Sequence, residues 1–111
     1  MVLFKLFAGT DIGLRDNNED NFTVCPDLTH NEWFLPDNAQ AKIQLGELGC
    51  IMVVADGMGG QNAGEVASAI AISTVQEWFS AKKLPRNITK KPEAISRFLK
   101  KVIMAIIIRL V

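Results

Sequence analysis

The chain has 111 residues, 49 % of them hydrophobic, and a formal net charge of zero at pH 7. That length holds one small domain, and that composition excludes a disordered chain. No apolar run is long enough to span a bilayer, and "MVLFKLFAG" lacks the long h-region and cleavage site of a secretory signal, so the expected location is the cytoplasm.

The strands come first. Val2–Ala8 is rich in Val, Leu and Phe and suits a strand. Thr10–Asn21 is polar, with Gly9 and Gly13 as breakers. Asn21–Cys25 alternates polar with apolar and predicts a half-buried strand ended by Pro26. Asp27–Gln40 reads as a loop, turned at Pro36-Asp37-Asn38 and pinned by Trp33 and Phe34. Lys42–Leu48 suits a short strand, and Gly49–Ala55 a buried one. Strands thus occupy about residues 2–55.

Two helices follow. The first is expected over 62–80, with Asn62 as cap and Glu65 completing a capping box. Ala67, Ile70, Ala71, Thr74, Val75 and Trp78 share one face. Small residues at Gly64, Ala67 and Ala71 let that helix approach a sheet closely. A linker over 81–91, punctuated by Pro85 and Pro92, leads to a second helix over 92–110 with Pro92 in its first turn. Its stripe is Ile95, Phe98, Leu99, Val102, Ile103, Ile106 and Leu110. From Val102 to Ile108 every residue is apolar, so this end is oily all round; four isoleucines and a valine there make a strand the alternative.

Strands followed by helices define an α+β domain over 1–111, a mainly antiparallel sheet with both helices on one face. The Ile51–Ala55 run does not alternate, so the other sheet face should be apolar too, and uncovered. Cys25 and Cys50 show no CxxC spacing, and Cys50 reads as a small buried hydrophobe. His30 stands alone in a polar segment and carries no ligand signal.

Charge is unevenly spread. Met1–Ala81 holds three basic and eleven acidic residues, whereas Lys82 onward holds nine basic residues and one acid, Glu93. The basic tail lacks interleaved aromatics beyond Phe98, which argues against a nucleic-acid partner.

The chemistry centres on "VVADGMGG", where a buried strand ends in Asp56 and three glycines follow within four positions. A dinucleotide fingerprint fails because Asn62 stands where its last glycine belongs, and no P-loop Gly-Lys-Ser/Thr follows. A lone Asp-Gly would be an ordinary turn; Gly57, Gly59 and Gly60 together point to backbone approached closely by something. A divalent cation would balance a partly dry Asp56, and the Gly57 carbonyl could join it. Further acids stand in "TDIGLRDNNEDNF": Glu19 and Asp20 are adjacent, and Arg15 lies just upstream with a planar fork suited to phosphate. Clustered acids, divalent metal and one arginine suit phosphoester hydrolysis.

"GLRDNNEDNF" followed by "VVADGMGGQNAGEVAS" resembles the opening part of a metal-dependent protein serine/threonine phosphatase of the type 2C (PPM) family, bacterial type. The resemblance covers Thr10–Ser73. It implies an α-β-β-α sandwich, here its incomplete N-terminal portion, with two Mn²⁺ or Mg²⁺ ions between the sheets. Asp56 would bridge the metals, the Gly57 carbonyl would join one, and Asp20 would hold the second through water, supported by Glu19. Arg15 would bind the phosphate of a phosphoserine or phosphothreonine protein substrate. Gly59 and Gly60 would shape the loop. A hydroxide bridging the metals would attack phosphorus with no phosphoenzyme. The family's later acidic motifs are not in these residues, so weak metal binding and little activity are expected of this chain alone. The alternative is a non-catalytic interaction module that self-associates through its bare sheet face and oily helix.

Overall fold

In the computed structural model, residues 3–14, 18–34, 39–58, 63–80 and 82–111 are described. The strands are β1 (Leu3–Ala8), β2 (Asp20–Asp27), β3 (Glu32–Phe34), β4 (Ala39–Gln44) and β5 (Ile51–Asp56). The helices are α1 (Ala63–Trp78) and α2 (Pro92–Leu110), with a 3₁₀ turn at Ile88–Lys90 between them. The domain is α+β, as expected.

The strands form two sheets. β1 pairs antiparallel with β4, from Leu3↔Gln44 to Ala8↔Ala39. The other sheet has the order β3-β2-β5, all antiparallel. Three expectations change here. The strand expected at Lys42–Leu48 lies earlier, because pairing with β1 sets its register, and Leu48 instead sits buried in the following turn. Trp33 and Phe34 belong to β3 rather than a loop. Nor does Pro26 end β2. The strand runs on to Asp27, past the last β5 pair at Cys25↔Ile51 and through a register irregularity against β3, where a residue without an N–H is tolerated. The turn expected at 36–38 and the cap at Asn62 lie outside the described residues.

Alternation along β2 and β5 sorts their side chains onto two faces. Cys25, with Ile51 and Val53 packed beside it, faces the helices. Thr23, fully buried, accepts a hydrogen bond from Gln76 Nε2 of α1 at 2.9 Å. α1 lies on this face, and α2 packs chiefly on α1 and the 3₁₀ turn. Phe98 is the hinge of that packing, meeting Trp78 and Phe79 edge-on at 6.1 and 5.2 Å. Buried positions on α1 are Gly64, Ser68, Ile72, Thr74 and Val75, a wider arc than the stripe read from spacing, because α1 is covered by the sheet on one side and α2 on another. At the far end Arg109 reaches back to Glu77 at 2.6 Å and to the Thr74 hydroxyl at 3.0 Å.

On the opposite face, β5 does alternate in burial despite its apolar sequence: Ile51, Val53 and Ala55 are half-buried, while Met52, Val54 and Asp56 are exposed. Leu6 and Ala8 of β1 line a cavity of about 380 Å³ with Phe22, Val24, Met52 and Val54, so β1 lies against part of this face. Val54 still remains 80 % exposed. The oily end of α2 is helix, not strand, and Ile103, Met104, Ile107 and Ile108 are exposed on it. No helix among the described residues is long and apolar enough to cross a membrane.

Candidate metal centre

The ladder between β2 and β5 places Asp20 directly opposite Asp56, two residues before the Phe22↔Val54 pair. Both acids therefore project from the face away from the helices, and both are exposed. Directly opposed residues in an antiparallel pair have Cα atoms about 4.5–5.5 Å apart. Like charges so placed repel. A hard divalent cation, which takes oxygen ligands and retains waters, would offset that repulsion. The pair fits such an ion without filling its coordination shell. Among the described residues there is no group of three or more His, Cys, Asp or Glu side chains placed to hold a metal.

Gly57 continues the ladder by one step, its N–H donating to the Glu19 carbonyl at 3.1 Å. It is buried, and a Cβ on it would overlap the carbonyl oxygen of Gly64 and come within 2.7 Å of the Glu19 carbonyl oxygen. The close approach anticipated at this glycine is thus made by the backbone of α1's first turn. The missing side chain of Gly64 makes room for a different neighbour, the Glu19 side chain.

Glu19 goes elsewhere than its neighbour. A Cβ built on Gly64 would stand 2.6 Å from Glu19 Cδ and 2.9 Å from Oε2, so the Glu19 carboxylate lies against the start of α1. The structure brings Asp20 and Asp56 together and seats Glu19 on the helix. Arg15, Gly59 and Gly60 lie outside the described residues.

Three residues not singled out in the sequence frame Asp20. Asn18 donates from Nδ2 to the Thr10 hydroxyl at 2.9 Å and accepts from the Asp20 amide at 3.1 Å. It thereby ties the start of the β1–β2 connection, just after β1, to the start of β2. Asp11 accepts from the Gly13 amide at 3.1 Å, and Gly13 takes a left-handed φ of 64°. Thr10, Asp11, Asp20 and Phe22 line a cavity of about 230 Å³. The signal was present in "TDIG", since Asp with glycine two residues on is an Asx turn.

Outside this site, His30 holds Asp27 through Nδ1 at 2.6 Å and through its amide at 3.2 Å, and the side-chain bond draws the Asp27 carboxyl below its usual range. Cys25 and Cys50 are free thiols. Cys25 is fully buried and burial pushes its thiol up to about 11, whereas Cys50 is only half-buried.

Comparison with protein-family models, with curated proteins and with solved structures returns no match for this chain.

Proposed function

We propose that the chain carries part of the metal site of a protein serine/threonine phosphatase of the type 2C class. One observation supports this above the others: Asp20 and Asp56, from motifs 36 positions apart in the sequence, stand opposite one another at the end of one strand pair. In this reading Asp20, Asp56 and the Gly57 carbonyl hold the Mn²⁺ or Mg²⁺ ions, and Arg15 binds the substrate phosphate. When bound, the metals supply Lewis-acid activation of water and neutralise charge on phosphorus. The wet face bearing Met52, Val54 and the two acids is where substrate phosphate would approach and where the second layer of an α-β-β-α sandwich would pack. The substrate class is a phosphoserine or phosphothreonine protein in the cytoplasm.

The test is thermal melting with MnCl₂. Millimolar Mn²⁺ raises the Tm of the parent chain, and Asp56→Asn removes the gain; turnover of p-nitrophenyl phosphate by the 111-residue chain is slight. A parent Tm indifferent to Mn²⁺ would overturn the reading.

A second reading, a non-catalytic interaction module, is favoured by the exposed Ile103, Ile107 and Ile108 on α2. It requires self-association that Ile107→Glu abolishes in sedimentation velocity, with no effect of metal.

A further inference from the structure

Adjacent acids at the start of a strand cannot share a face, because successive side chains point to opposite sides. Asp20 takes the face bearing Asp56. Glu19 therefore takes the helix side, and its carboxyl group fills the space that a side chain on Gly64 would need. Its own carbonyl meanwhile accepts from Gly57 at 3.1 Å. One residue thus touches the end of β5 with its backbone and the first turn of α1 with its side chain. A carboxylate is well suited to that turn, where unpaired amides and the helix dipole favour negative charge.

We propose that Glu19 is a positioning residue. It latches the start of β2 to the start of α1 and so keeps Asp20 facing Asp56, rather than joining the metal shell itself. The consequence for metal rests on the phosphatase reading; the latch does not. Gly64 is the matching half of the device, a notch left open for the Glu19 side chain. Glutamine has the same outline and can still accept hydrogen bonds, so it keeps the contact with Gly64 and gives up only the favourable helix-dipole charge, a small loss beside that of removing the side chain.

Two measurements on the whole chain decide it. In the metal-free protein, Gly64→Ala lowers Tm by about 4–8 °C, the shift of a domain this size losing one good contact. In a Glu19→Ala background the same change leaves Tm level or raises it, since the obstacle is gone and alanine is the better helix former. Equal losses in both backgrounds would overturn the latch. Mn²⁺ affinity, read from the free-ion EPR signal, supplies the second test. Glu19→Gln stays within about twofold of the parent while Glu19→Ala weakens binding about tenfold, the usual cost of removing a supporting group. If Glu19→Gln loses as much as Glu19→Ala, the carboxylate is a ligand and the proposal fails. A parent with no Mn²⁺ response would remove the phosphatase reading alone, and the metal-free cycle would still decide the latch.

Discussion

The two faces of the three-stranded sheet differ more than their residues do. Val53 and Val54 are neighbours of identical chemistry on β5, yet Val53 packs against the helical core and Val54 is 80 % exposed. On the helix side, Cys25, Val75, Phe79, Phe98 and Val102 form one buried cluster. On the other side, apolar side chains lead to a pair of opposed acids. On the second face Phe22 and Val24 of β2 are buried while Met52, Val54 and Asp56 of β5 stay exposed, so this face is open along β5. An apolar strand sequence therefore does not say that both faces are covered.

Paired truncations test that division most directly. Phe98→Ala removes the ring that meets both Trp78 and Phe79, and should cost about 3–5 kcal/mol by urea denaturation. Val54→Ala on the exposed face should change stability by no more than about 0.5 kcal/mol. If the two substitutions cost the same, the faces are not divided as described.

Next comes the point where the faces meet. Gly57 is buried between the first turn of α1 and the Glu19 carbonyl, and what a Cβ would strike is backbone on both sides. Neither can swing away as a side chain could. Gly57→Ala should therefore cost about 3 kcal/mol, the upper end of ordinary overpacking. If Asp20 and Asp56 bind Mn²⁺ together, this variant also loses the Mn²⁺-dependent gain in Tm. Near-parent stability for Gly57→Ala would mean that α1 does not seat on the end of β5.

Local signals carried the helices well and the sheets less well. Pro92 suits only the first turn of a helix, and α2 runs Pro92–Leu110, as its sequence predicts. β3 has only three residues, too few for alternation to show, and exists because Phe34 pairs with Val24. β4 was displaced for a related reason. "AQAKIQ" is weakly patterned, and its register comes from β1, far away in sequence. Within the site, Asp20 and Asp56 were each legible as acids beside a strand. Their opposition is a property of the β2–β5 register, which no single segment contains. The seat of Glu19 was open to reasoning from alternation alone; its contact with Gly64 was not.

A smaller effect separates the two thiols. Cys25 lies inside the helix-side cluster, its Sγ donating to the Glu32 carbonyl at 3.0 Å, and burial holds its pKa at about 11. At pH 8 only about a thousandth of it is thiolate, the reactive form. Burial also raises the Cys50 thiol, but that residue is only half-buried. Iodoacetamide followed by mass spectrometry should label Cys50 in the native protein and Cys25 only after denaturation. Early labelling of Cys25 would show that the helix-side cluster opens readily.

The smallest effect belongs to Asp27, the last residue of β2. Its carboxyl is held below the usual range, first by the side-chain bond to His30 and then by the His30 amide. A carboxyl with a lowered folded-state pKa adds stability above its unfolded value and loses it as pH falls through the folded value. The contribution is thus intact at neutral pH and fades below about pH 4, where free carboxyls begin to protonate. Solvent around His30, whose side chain is 73 % exposed, screens the pair and keeps the effect small. Asp27→Asn should make Tm less steep between pH 4 and pH 2 while leaving the Mn²⁺ response untouched. An unchanged acid slope would mean that the Asp27–His30 bond does not set the acid sensitivity of the fold.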